Sequence, residues 1–454
     1  MVPQPMAPSL MYYPEEGVEN LDGYCPGGYH PTHLGDRYHN ERYEIVHKLG
    51  FGSSSTVWLA KDHIENRFVA LRILTAEASS EEEETTELEV CQALSSGNQD
   101  HPGRRHVLGF FDHFTIDGPN GSHRCIVSEP VGCSAGKSKD EYAPWMFPPN
   151  AARSMAAQVL LGLDYIHSCG VVHSDLHSRN ILYRLPDFSN YSIEEIYRQF
   201  GEPQQRPITR LDEQLTGQEA PNYCVSPMIT AEECSQVPDS VQVVIAGFGE
   251  AFFPEKIPLY PRKVLNTPTL LMPPEAIFGE HPDSAVDIWT LGCTIYDLLG
   301  NGSLLKGFMP DEDDVVAEII STFGQILWKW TNKWSKKRDF FRLDGTWKQE
   351  TGRAHVERSR PLKERIEGMG REGEFSSEEM ECLEDLLRQM LFYDPDWRIK
   401  ASRTLESEWM LKWGRPAMEH GAATAAASQS EQLMSTVPML DSDWVLFSEG
   451  EGGN

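Results

Sequence analysis

The residues Val171-Val172-His173-Ser174-Asp175-Leu176-His177-Ser178-Arg179-Asn180 decide how the rest of the chain is read. Two apolar residues lead into a His-x-Asp turn, and an Asn follows the Asp five positions later. Before it, Pro149 to Cys169 places Met155, Val159, Leu160, Leu163 and Ile166 at helical spacing, so a helix with one buried face delivers the chain to the turn. Ile181-Leu182-Tyr183 reads as a strand leading away.

Upstream, Tyr43–Leu49 and Thr56–Ala60 are strand patterns around Gly50-Phe51-Gly52-Ser53-Ser54-Ser55. A glycine turn between strands lets backbone N–H groups approach phosphate oxygens without side chains in the way. Phe68–Leu74 is a third strand, and Leu88, Cys91 and Leu94 follow at helical spacing after an acidic run. Asn120-Gly121 signals a hairpin, Arg124–Val127 is a strand, and Ser128–Gly132 reads as a hinge. Downstream, residues 184–240 are polar and aperiodic, too long for an ordinary connection, and read as an insertion. A strand resumes at Val241–Ala246 and ends at Gly247-Phe248-Gly249-Glu250. Asp287-Ile288-Trp289-Thr290-Leu291-Gly292 opens an apolar helix, and Leu383, Leu386, Leu387, Met390 and Leu391 form a core stripe.

The ends differ from this middle. Residues 1–42, rich in Pro, Gly, Tyr and His, read as an extended arm. Residues 414–454 read as a disordered Ala/Ser/Gly-rich tail, within which Trp444–Phe447 is a candidate docking segment. The chain has 40 basic and 69 acidic residues, a formal charge of -29. That argues against nucleic-acid binding through a basic face and permits basic protein partners, although a solvated acidic surface explains it equally well. Nine cysteines show no CxxC spacing, which suggests neither a disulfide framework nor a zinc site. No basic leader precedes an apolar run, and no stretch approaches the roughly 18 apolar residues of a membrane span. The expectation is a soluble, reduced, intracellular protein.

In this order and at these spacings, the motifs from Tyr43 to about Trp413 resemble a eukaryotic protein-kinase domain. The resemblance implies an α+β bilobal fold: a small β-rich N-lobe with one main helix (about 43–130) and a larger helical C-lobe (about 131–413). It assigns Leu49, Gly50, Phe51, Gly52, Val57, Ala70, Arg72, Glu87 and Glu129 to the nucleotide, Asp175 to the substrate hydroxyl and Asn180 to a metal ion. His177 is a catalytic candidate that fills the loop equally well, and His173 is a supporting residue. Glu275 and Arg398 match a buried ion pair of that family. ATP and Mg2+ are the implied cofactors.

The chain is most similar to the SR-protein kinases, particularly their fungal relatives. The likeness rests on Tyr24-Cys25-Pro26-Gly27-Gly28-Tyr29-His30 with Gly35-Asp36, on Gly52-x-x-Ser55-Thr56-Val57-Trp58-Leu59-Ala60, and on the insertion. Asp311-Glu312-Asp313-Asp314, before a helix ending near Phe323-Gly324, resembles the segment which that family uses in an acidic docking groove. The likeness implies serine phosphorylation in basic, Arg/Ser-rich splicing factors, hence splicing regulation, by a cytoplasmic and nuclear monomer that contacts neither nucleic acid nor membrane. Ser174 stands where other kinases have an Arg that answers an activation-loop phosphate, which implies no such activation here.

Three departures bear on chemistry. Arg72 replaces the strand Lys and is larger and planar. His177 replaces the Lys two residues after Asp175. Gly247 replaces the metal-binding Asp of D-F-G. Losing one preorganised electrostatic group costs on the order of a hundredfold to a thousandfold in rate. Two readings therefore stand: a serine/threonine kinase, and a pseudokinase that presents the same fold as a binding module.

Overall fold

The computed structural model describes residues 11–79, 81–141, 145–229, 237–258, 263–307, 309–348 and 358–424, with backbone alone for 81–85. The apolar runs of the first third form one antiparallel sheet. Its strands are β1 (Arg37–Tyr38), β2 (Tyr43–Gly52), β3 (Ser55–Asp62) and β4 (Arg67–Leu74). After helix α1 (Glu81–Ser96) come β5 (Phe110–Gly118) and β6 (Gly121–Ser128), in sheet order β1-β2-β3-β4-β6-β5. Strand alternation sorts their side chains. Ile45, Trp58, Val69, Leu71 and Ile73 join one cluster. Leu59 and Phe68 point the other way, and with Val46 they are covered by Phe188, Ile196 and Met228 of the insertion. Val57, Ala70 and Arg72 lie on the face of Leu59 and Phe68, with Val57 paired to Arg72 and Leu59 to Ala70. A strand buried on both faces reads as a continuous apolar run, as Phe68–Leu74 does.

The insertion is more ordered than its polar, aperiodic sequence suggests. After β7 (Val131–Ser134), helix α2 (Pro149–Ser168) and β8 (Ile181–Arg184), it forms helix α3 (Ile193–Phe200) and a two-stranded ribbon, β9 (Gln205–Pro207) with β10 (Tyr223–Val225). The start of α3 is a capping box in which Ser192 and Glu195 satisfy each other's backbone N–H groups, a signal already present in Ser-x-x-Glu. The arm is likewise placed: Tyr12, Val18, Leu21, Tyr24 and Tyr29 pack with Ile208, Ala220 and Cys224 of the insertion.

Around α2 the C-lobe core gathers. Strand β11 (Val243–Ile245) pairs with β8, and α4 (Ala285–Leu299) packs against α2. Helices α5 (Glu312–Phe323) and α6 (Ser377–Met390) add to the same core. Arg398 donates to both carboxylate oxygens of Glu275 at 2.6 and 2.9 Å, and both residues are buried.

Two expectations are corrected. The helical segment 408–424 runs past residue 413 with Gly414, Ala417 and Gly421 buried, so the domain does not give way to tail at 414. Cys133 is disulfide-bonded, a pairing that spacing along the chain does not reveal. The rest of the tail, with Trp444–Phe447, lies outside the described residues.

Burial also sets a pH dependence. Desolvation pushes His30, His47 and His106 down to about 4 in the folded state. Unfolded, such residues titrate near about 6.5, so between those values the unfolded chain holds more protons. Their contribution is present above about pH 6.5 and is lost as pH falls towards about 4. Chemical-denaturation midpoints measured across this window should fall with pH, with a shallower slope once the three histidines are replaced by apolar residues.

Candidate active site

The loop Val171–Asn180 is held from below by one carboxylate. Asp287, fully buried in the first turn of α4, accepts from His173 N–H at 2.8 Å and Ser174 N–H at 2.7 Å. His167 Nε2 lies 2.9 Å from the same group. Ser174 takes φ 62°, a left-handed conformation costly for a residue with a side chain, and these bonds fix it there. Its Oγ donates to Glu250 O at 2.7 Å, so the Ser174 position is a buried brace rather than an exposed cation.

His173 ties the loop to the end of β11. Its Nδ1 accepts from Asp175 N–H and its Nε2 donates to Ala246 O at 2.9 Å, a pattern that requires the neutral ring. Full burial lowers its pKa accordingly. It supports the loop, as expected.

Asp175, His177 and Asn180 come together. Asn180 Nδ2 donates to Asp175 O at 2.8 Å and to Asp175 Oδ2 at 2.9 Å. His177 Nδ1 accepts from Arg179 N–H, so its proton sits on Nε2, 3.4 Å from Asp175 Oδ2. Oδ2 is thus occupied on two sides. Asp175 Oδ1 is buried with no hydrogen-bond partner among the described residues. A buried acceptor left open costs free energy unless something is meant to fill it. It can accept from a hydroxyl group or from water.

The N-lobe supplies a cationic clamp. Arg72 Nη2 donates to both carboxylate oxygens of Glu87, at 2.8 and 2.7 Å, which joins β4 to α1. A Cβ built on Gly50 or Gly52 would meet nothing within 4 Å, so the loop borders open space. Phe51 is exposed, Leu49 and Val57 are half-buried, and Ala70 is buried beneath them. The Glu129 carboxylate accepts from Gly109 N–H at 2.7 Å and pairs with Arg184 at 2.8 Å. That side chain braces the hinge.

Gly247 is where the site departs most. It has φ 81° and ψ 51°, and a Cβ there would lie 2.5 Å from Asn180 Oδ1 and 2.6 Å from its Cγ. Asn180 therefore occupies the space that any side chain at 247 would need. Glu250, the nearest carboxylate in sequence, accepts from Asn266 at 2.9 Å. Among the described residues no group of three or more His, Cys, Asp or Glu could hold a metal ion. Of the two positions from which metal oxygens were expected, Asn180 offers an amide and Gly247 nothing. The donor set does not fit a metal held by a protein carboxylate at 247.

The acidic run is a helix cap first. Asp311 and Asp314 exchange side-chain-to-backbone bonds at the start of α5, and Asp313 accepts from Trp334 Nε1 at 2.7 Å. Glu312 remains exposed. The residue whose role sequence reasoning missed is Asp287, although its Asp-x-Trp-x-x-Gly setting was visible.

A model of the protein kinase domain matches residues 43–189 and 240–410. "Protein kinase dsk1" of Schizosaccharomyces pombe is 25% identical over 480 residues, spanning 88% of this chain and 86% of that protein. "Serine/threonine-protein kinase SRPK" of Physarum polycephalum is 30% identical over 414 residues, spanning 87% and 91%. Human "SRSF protein kinase 3" is 38% identical over 184 residues, spanning 40% and 32%.

The contact between positions 247 and 180 is testable. Gly247→Ala should destabilise the fold by about 1–3 kcal/mol, from the left-handed backbone and the collision together. In an Asn180→Ala background the collision disappears and the penalty should shrink. Urea denaturation in a double-mutant cycle reads the difference.

Proposed function

The chain belongs to the protein kinases, in the SR-protein kinase family of serine/threonine kinases, and on that premise we propose that it transfers phosphate from ATP to serine in basic, Arg/Ser-rich proteins. The observation that carries this is the state of Asp175: anchored through Asp287, oriented by Asn180 and His177, and left with one buried oxygen open. In the proposed reaction Asp175 Oδ1 accepts the hydrogen bond of the serine hydroxyl and aims its oxygen at the γ-phosphorus. Arg72, fixed by Glu87, places positive charge where the nucleotide phosphates sit, and Gly50–Gly52 offer backbone N–H groups. Of the residues expected at a metal site, Asn180 alone would offer an oxygen to a magnesium ion, which would neutralise charge on the nucleotide phosphates. The net charge of -29 supports a basic substrate, and a relative named as an SRSF kinase supports the splicing-factor class. By the same likeness the protein acts as a monomer in cytoplasm and nucleus.

One observation favours a second reading, a nucleotide-binding pseudokinase that presents basic partners to its acidic surface. Asn180 fills the place of a side chain at 247, so the missing carboxylate is built over rather than simply absent.

Transfer of labelled phosphate from ATP to an Arg/Ser-rich peptide separates the two. The first reading predicts activity that falls at least a hundredfold, on the order expected for a general acid–base group, in Asp175→Ala. A native chain that binds the peptide and ATP but labels nothing establishes the second.

A further inference from the structure

The stretch Tyr24–His30 has no part in the chemistry described so far, yet it is built against the glycine loop. Tyr29 Oη donates its one proton to Gly52 O at 2.8 Å, with Ser53 O also within reach at 3.2 Å; both are carbonyls at the tip of the β2–β3 hairpin. Its ring is seated by glycine: a Cβ on Gly23 would come within 2.6 Å of it, and a Cβ on Gly28 within 1.9 Å of Gly23 O. The arm backbone is then stitched down, since Gly28 O and Gly27 O accept from Ala76 and Glu77 N–H at 3.0 and 2.8 Å.

The other end of the loop is tied as well. Lys48, two residues before Gly50 and next to a shift in strand register, is buried against Glu19 of the arm, which also accepts from Tyr24 Oη. Lys48 O accepts from Met228 N–H of the insertion at 2.7 Å. Asn120 joins the two outer segments, donating to Tyr29 O and to Glu219 O, each at 2.7 Å.

We propose that arm residues 19–30, seated by the insertion, form a clamp that fixes the shape of the glycine loop before nucleotide arrives, with Tyr29 and the Lys48–Glu19 pair as its positioning residues. This rests on Gly50–Gly52 being the phosphate loop. A loop ordered in advance has already met its entropic cost, so nucleotide binds more tightly and leaves more slowly. A buried ion pair also specifies one seating of the arm, since any other leaves a charge unpaired.

The test uses the full chain with two variants, Tyr29→Phe and the double variant Glu19→Gln/Lys48→Met. Hydrogen exchange of the nucleotide-free protein is followed peptide by peptide, and release of a fluorescent ATP analogue by stopped flow. Tyr29→Phe keeps the ring, so it should leave exchange in α2 and α4 unchanged while residues 50–55 lose protection. Release should quicken roughly 2- to 10-fold, the scale of one neutral hydrogen bond. A merely structural role would alter exchange throughout the N-lobe and leave no excess at the loop. Unchanged loop exchange in both variants overturns the clamp. A native chain that binds no analogue overturns the nucleotide reading instead, and loop exchange alone then decides on the clamp.

Discussion

The catalytic loop hangs from the buried carboxylate of Asp287. It holds two consecutive backbone N–H groups of the catalytic loop, and it does so from the first turn of a helix sunk in the C-lobe core. A helix start is where a negative charge is favoured, so the anchor sits where the backbone already stabilises it. From there the order propagates: Ser174 is kept in a strained conformation, His173 reaches β11, and Asp175 is turned so that one oxygen is supported and the other open. The strain at Ser174 is held by hydrogen bonds to Asp287 and Glu250.

Against that intact frame, Gly247 offers no carboxylate, and Asn180, bonded to Asp175, lies where a side chain at 247 would begin. The two halves of the proposed phosphate site are thus unequal. The N-lobe half keeps a cation paired with Glu87, whereas the C-lobe half offers an amide and a single orienting acid. Any account of activity has to place the neutralising charge mainly on Arg72 and on whatever the nucleotide itself brings.

The strands of residues 43–128 and the helix leading to the loop were legible because they follow from periodicity, whereas the Glu275–Arg398 pair was legible only through the family resemblance. What was not legible came from contacts distant in sequence. The insertion looked unstructured because its apolar residues, such as Phe188, Ile196 and Met228, are spaced to meet another sheet face rather than to form a core of their own. The outward-facing Leu59 and Phe68 were the available sign that something must cover them. Glu129 was assigned to the nucleotide, but its carboxylate braces the hinge through Gly109 and Arg184, a partner set that no local pattern encodes. The consequence of Gly247 for Asn180 also needed three dimensions.

The arm, the insertion and the N-lobe pack in layers above a loop anchored from beneath. On the proposed reading, phosphate is held by protein cations and backbone rather than by a metal on a protein carboxylate. Calorimetric titration of ATP in magnesium and again in EDTA tests this most directly. Affinity that is nearly the same in both is the predicted result; binding that disappears on chelation would contradict it.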